Sequence, residues 1–539
     1  MRLIAFFLIA SFGAAQTRDE VLAAMKKAAQ FYREKASKEG GYHFAYAHDL
    51  SYGRSESAEG PTQVEVQREG TPRVGMAYLE AYAATGERVF LDYAGAAGMA
   101  YVKGQMCSGG WDYLIEFDAE KRKRYAYRAD GNCGGRGVTN LDDNVTQSGV
   151  RFLMRLDTAL EFKDAAIHGA VKFALESLLK AQYPIGAWPQ RFSQIPDHAK
   201  YPVKKASYPE SWPRQWPGEN YQTHYTFNDN TIADAIDMML EAARIYKEPK
   251  YLASAERGGQ FILLAQMPDP QPAWAQQYDL NMHPAWARVF EPPSVTGGES
   301  QGIMRMLFVL YRETGNRKYL EPVPRALEYL KKSILPPQEK PSEARRRIRG
   351  PALARFYELR TNRPLYITKG TQVRAQGLGS GRPDGYELSY TDESVITHYG
   401  VVTSGADLEA IEADYKRLAA ADPATLQRPD VLHGLSPWSE RERRRRNDLG
   451  SEVKTILAAM DERGAWTEEG VIGKADLVAS VFTPGPMVVT VNGRKIVDLK
   501  ENDTIAIYRG AQPPRERMIR SSRFAENLET LAEYVAGLR

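Results

Sequence analysis

The sequence predicts an all-α fold, an α/α toroid of repeated helical hairpins with a small C-terminal α+β appendage. Two recurrences and one change of character predict it. Helical stretches close on glycine and then an aromatic residue at Gly40-Gly41-Tyr42, Gly109-Gly110-Trp111 and Gly186-Ala187-Trp188, with a related close at Pro272-Ala273-Trp274. The aromatics stand 69, 77 and 86 positions apart, and each interval is long enough for a helix pair and a loop. A second phrase joins the helices of a pair. Tyr82-Ala83-Ala84-Thr85-Gly86 precedes Phe90-Leu91, Tyr311-Arg312-Glu313-Thr314-Gly315 precedes Tyr319-Leu320, and Tyr246 before Tyr251-Leu252 is a shortened copy. Such hairpins cannot bury both faces alone and must pack on one another. In a closed ring their loops gather at one end and build a cleft. After about Val402 the pattern gives way to mixed helix and strand signals.

Residues 1–15 read as a secretory signal. Arg2 gives the positive start, Ile4 to Phe12 an apolar run too short to span a bilayer, and Gly13-Ala14-Ala15 a small-residue cleavage site. The mature protein is expected to be secreted or periplasmic, and no later stretch is long and apolar enough for a membrane span. The first helix places Val21, Met25, Ala28 and Tyr32 on one face. The toroid is expected over residues 16–401 and the extension over residues 402–539. Arg191 to Thr223 is a Pro-, Trp- and Tyr-rich insert, read either as a cleft wall or as a loop packed on the rim. In the extension, Ala406 to Asp422 reads as helix, and Arg441-Glu442-Arg443-Arg444-Arg445-Arg446 as a solvated helix face. Met487 to Val491, Asn492-Gly493 and Arg494 to Leu499 read as a hairpin with a type I′ turn. Ser521 to Leu538 reads as a last helix with Phe524, Leu528, Leu531 and Tyr534 on one face.

A net charge of +3 gives no reason to expect nucleic acid as a partner. It does not repel an acidic polymer if the positive charges gather in a cleft. Cys107 and Cys133 permit one disulfide in an oxidising compartment; metal ligation by two cysteines alone is the weaker reading.

Two acidic loops precede apolar helices: Asn140-Leu141-Asp142-Asp143-Asn144-Val145-Thr146 and Thr226-Phe227-Asn228-Asp229-Asn230-Thr231. Each puts carboxylate, amide and hydroxyl oxygens at a helix start, the ligand set of a hard cation. Each is equally a helix cap, which is the commoner use of these residues. Neither has the spacing of an EF-hand loop. Two later loops carry arginine among apolar residues: Pro284-Ala285-Trp286-Ala287-Arg288, and Ala354-Arg355-Phe356-Tyr357-Glu358 ahead of Thr361-Asn362-Arg363-Pro364-Leu365. Arginine in such a setting pairs with a carboxylate, the protein's own or a ligand's.

Taken in order, Gly186-Ala187-Trp188-Pro189-Gln190, Thr226-Phe227-Asn228-Asp229, Trp274-Ala275-Gln276-Gln277-Tyr278-Asp279 and the two arginine loops make a set that resembles the family 10 polysaccharide lyases, which are pectate lyases. The resemblance runs from about Arg73 to Gly400 and resumes in the final helix. It implies an α/α toroid, calcium as cofactor, polygalacturonate as substrate and an arginine base; the chain is expected to act as a monomer. On matching positions it implies Asp142 (with its neighbour Asp143) and Asp229 as calcium carboxylates and Arg288 as the base. Arg355, Arg363, Trp188, Gln190 and Asp279 are implied as substrate contacts, and the roles of Arg288 and Arg355 are open to exchange. Family members more often carry glycine where Ala187 stands and tryptophan where Leu353 stands. The arginine cluster Arg345 to Arg349 is also unusual, and these departures bear on substrate preference.

The implied reaction is β-elimination: the C5 proton, α to the uronate carboxylate, is removed and the C4 oxygen leaves. A metal neutralises that carboxylate and stabilises the enolate-like charge. Arginine is protonated at ordinary pH, so a base role needs its pKa lowered by crowded cations. Two other readings stay open. A hydrolase of uronic oligosaccharides on the same ring needs a carboxylate acid–base pair in place of the arginine. A non-catalytic pectin-binding protein keeps the aromatic cleft and lacks the metal carboxylates or the base.

Overall fold

The computed structural model describes residues 16–338, 343–346, 348–368, 387–392, 402–426, 449–472, 477–482, 487–491, 494–499, 504–508 and 514–538. The expected signal segment, the Arg441 to Arg446 face and the Asn492-Gly493 turn lie outside these residues.

Helix α1 (Arg18–Phe31) starts on a capping box in which Thr17 and Glu20 each accept the other's backbone amide. Its expected face, Val21, Met25, Ala28 and then Tyr32, is buried. Four hairpins follow. Helices α2 (Thr71–Thr85) and α3 (Arg88–Gly104) form the first, α4 (Val145–Ala159) and α5 (Ala165–Ala181) the second, and α6 (Thr231–Tyr246) and α7 (Pro249–Ala265) the third. In the fourth, α8 (Gly298–Thr314) returns through the 3₁₀ turn Arg317–Tyr319 into α9 (Val323–Lys332). The repeated turn phrase has a backbone cause. Gly86 and Gly315 are left-handed, at φ +75° and +68°, and donate to the carbonyls of Tyr82 and Tyr311. In the shortened copy Lys247 takes the same conformation, at a cost on the order of 1 kcal/mol for its side chain.

The first members α2, α4, α6 and α8 pack side by side in succession, with α1, α3, α5 and α7 outside them. This is the α/α toroid that the recurrences predict. The glycine-aromatic closes tie it together. Trp111, Trp188 and Trp274 are fully buried, and their indole N–H groups donate to the Tyr101, Leu178 and Ile262 carbonyls of the outer helix just ended. Helix ends leave carbonyls short of intrahelical partners, although that of Leu178 also accepts the Gln182 backbone amide. A glutamine follows each of those helices and stitches it to the next hairpin. The Gln105 amide donates to Gly109 and Ala170, that of Gln182 to Gly186 and Ser254, and that of Gln266 to Pro272 and Pro322.

Short antiparallel pairs link the loops that lead into the inner helices: residues 63–65 with 114–116, 139–140 with 191–192, 225–226 with 277–278, and 294–296 with 356–358. They bring the starts of α4 and α6, where the acidic loops lie, next to each other.

The C-terminal part supplies α10 (Asp407–Ala420), α11 (Leu449–Ala458) and α12 (Ser521–Gly537), with the expected strands Met487–Val491 and Arg494–Leu499 paired antiparallel. Helix α12 packs into the ring against α1 and α2, and Phe524 stacks on Tyr32 at 4.0 Å. Strand Glu516–Arg520, just ahead of it, pairs with Ala45–Ala47. Cys107 and Cys133 form a disulfide. Among the described residues no helix is long and apolar enough to cross a membrane.

Candidate metal and catalytic site

The two acidic loops are built alike. Asp143 and Asn144 have φ of +49° and +58°, and Asp229 and Asn230 have +48° and +58°. Asp and Asn tolerate this left-handed region better than other side chains. Neither Asn144 nor Asn230, at the N-cap position, caps its helix through its side chain. The turns instead bring Asp142, Asp143 and Asp229 together, with carboxylate oxygens within 4.8 Å of one another.

Asp142 is held by Gln190 (2.9 Å), Arg191 (3.0 Å) and the Tyr113 hydroxyl (3.1 Å). The same hydroxyl donates to Asp143 at 3.1 Å, and Gln67 donates to it at 3.3 Å. Asn228 donates to Asp229. Burial, followed by the charges of Asp142 and Asp143, pushes the Asp229 pKa up to about 7. The Asp229 side chain is exposed, so water and salt damp this effect. The Gln190 amide oxygen is buried without a hydrogen-bond partner. Three crowded carboxylates with a buried amide oxygen alongside, and no thiol or imidazole among them, fit a hard cation such as calcium.

Arg288 donates to both oxygens of Glu291, each at 2.8 Å. Burial pulls its pKa down, but Glu291 outweighs this and leaves it raised. The guanidinium is therefore held charged. It also feels Asp229 electrostatically. Arg355 donates to Glu299 (3.2 Å), Asn228 (3.3 Å) and Gln276 (3.4 Å). Gln276 in turn donates to Glu291 at 2.9 Å, so the two arginines belong to one network around Asp229.

The other expected contacts differ in where they fall. Trp188 is wholly buried with its N–H satisfied, so it anchors the fold and presents no face to a ligand. Asp279 caps its own turn by accepting from the Asn281 and His283 amides at 2.8 and 3.0 Å. Gln190 orients Asp142. Arg363 stacks on the Tyr390 ring. The insert packs on the Arg288 loop, with the Trp216 indole donating to the Ala287 carbonyl and the Trp286 indole to that of Pro213. Residues that sequence reasoning missed are Tyr113, Arg191, Gln67, Glu291 and Tyr221, whose phenol senses Arg288, Glu291, Asp142 and Arg191.

Comparison with known proteins gives a match to the family model for pectic acid lyase over residues 105–396, more than half of the chain. Among solved structures, a family 10 polysaccharide lyase from Cellvibrio cellulosa is 20% identical, covering 64% of this chain and 97% of that one with a TM-score of 0.40. A mutant family 10 polysaccharide lyase from the same organism, in complex with a trigalacturonic acid, is 21% identical over 59% of this chain and 89% of that one, with a TM-score of 0.37. No curated protein sequence matches. With the matched stretch spanning the twin acidic loops and both arginine loops, the chain belongs to the pectic acid lyase family.

Proposed function

We propose that the chain is a calcium-dependent pectate lyase that cleaves α-1,4-polygalacturonate by β-elimination and releases oligogalacturonides with a 4,5-unsaturated end. One observation carries this reading: Asp142, Asp143 and Asp229 converge from two like-built loops, with Arg288 and Arg355 networked around their edge. The three carboxylates would hold the ion, while Tyr113, Gln190 and Arg191 fix the pose of Asp142. Calcium held there would neutralise the substrate's uronate and the enolate-like charge that follows loss of the C5 proton.

We assign that proton to Arg288. In the resting site Glu291 keeps Arg288 charged, so the role requires this pair to loosen as further positive charge approaches, which lowers a guanidinium's pKa. Arg355 is set to receive a uronate carboxylate, for which a planar guanidinium is suited. Glu291 and Glu299 each accept an arginine, which supports the lyase over a hydrolase needing a carboxylate acid–base pair. Export through residues 1–15 and a monomeric state belong to the same reading. Mass spectrometry of the products tests it. Fragments lighter by a water than hydrolysis products are expected, and saturated fragments alone would overturn it.

A further inference from the structure

Resting on the lyase reading, we infer a distal subsite for the acidic sugar chain, formed by Arg214 of the insert and Arg363 of the hairpin that follows Arg355. One buried acid organises both, Arg214 by direct contact and Arg363 through Tyr390. The Glu358 side chain is 3% exposed, and its carboxylate accepts from Arg214 and from the hydroxyls of Thr361 and Tyr390. That negative charge is spent inward. Arg214 is 56% exposed and lies over the Trp212 ring at 4.0 Å. Arg363 is exposed and lies over the Tyr390 ring at 3.3 Å, with no carboxylate paired to it among the described residues. The Tyr390 ring is itself 38% exposed. Glu358 thus holds Arg214 directly and carries Arg363 through the Tyr390 ring, and both guanidinium groups stay exposed beside aromatic surface.

The place of the patch makes it an extension of the site. Trp212 packs on Trp286 at 6.4 Å, and two indole hydrogen bonds tie the insert to the loop that carries Arg288. Arg355 immediately precedes strand Phe356–Glu358, and Glu358 ends it, a displacement of roughly 10 Å at strand spacing. A uronate polymer that runs from Arg355 along this strand meets Arg214 and Arg363 next. Guanidinium forks donate to carboxylates in two-point contacts, and a polymer with one carboxylate per ring offers one at each step.

The test is calorimetric binding of tri- and hexagalacturonate to the full chain and to Arg363→Ala and Arg214→Gln, with products followed in parallel. Each substitution should weaken hexamer binding about tenfold and leave trimer binding unchanged. Arg214→Gln also loosens the insert, so Arg363→Ala, which removes no contact to the insert, is decisive if the first variant melts early. Unchanged hexamer affinity in Arg363→Ala overturns the subsite. If the hexamer shows the expected losses but no unsaturated product forms, the subsite stands and the lyase reading fails. If the wild-type chain binds neither oligomer, both fail.

Discussion

Asp229 shows how one carboxylate can link stability to metal binding. Its pKa rises from 3.8 to about 7, first through burial and then through Asp142 and Asp143. Across that window the metal-free folded chain binds a proton that the unfolded chain does not, so this group's contribution to stability falls as pH rises. Asp229→Asn should therefore raise the Tm of metal-free protein at pH 8 and leave it nearly unchanged at pH 4. A lower Tm at pH 8 would refute the crowding. Calcium affinity should weaken as pH falls below about 7, with proton release visible by calorimetry in two buffers. Arg288→Ala should collapse kcat and also strand Glu291, a 2% exposed carboxylate, at a cost of about 3 kcal/mol. Adding Glu291→Gln should restore stability without activity. Arg355→Ala should instead raise KM with a smaller change in kcat, and the inverse pattern in steady-state kinetics would exchange the two roles. The acids and arginines were legible because each sits in a short, chemically unusual loop. Glu291, three residues after Arg288, was a local signal left unread. Tyr113, Arg191 and Gln67 reach the cluster from other loops, and no local pattern marks them.

Helices and loops repeat because each hairpin end solves the same problem. A closing aromatic bonds a helix-end carbonyl, and a glutamine bridges to the next pair. That recurrence is local and was readable. The direction in which the aromatic points is tertiary, which is why Trp188, a substrate contact by the resemblance, is a core anchor in the fold. Gly186 tests the device. At φ +102° a Cβ would stand 2.0 Å from the Arg257 carbonyl oxygen. Gly186→Ala should destabilise by more than about 2 kcal/mol in urea denaturation. Gly169→Ala, inside α5 with no atom within 4 Å of the new Cβ, should stabilise by up to about 1 kcal/mol. Equal effects would mean that the close is not the constraint described.

At the scale of the whole molecule, the final helix joins the two ends of the chain. Helix α12 lays Phe524 on Tyr32, bonds Ser521 to the Tyr32 hydroxyl at 2.7 Å, and pairs Glu529 with Arg73. The helix and its apolar face were predictable; its insertion beside α1 and α2 was not, because sequence distance conceals it. A chain ending at Arg520 should lose cooperative thermal unfolding, since it bares the faces of both helices, whereas retention of a sharp transition would make α12 dispensable. On the proposed reading, the ring's function rests on the carboxylate cluster that its loops assemble. The most direct test follows ultraviolet absorbance of unsaturated uronate ends on polygalacturonate, with calcium titrated back into chelator-stripped wild-type protein and Asp229→Asn in parallel. Wild type should show a calcium-dependent rise, and both the variant and wild type in chelator a nearly flat trace. Full activity in chelator, or a wild-type rate from Asp229→Asn, would contradict it.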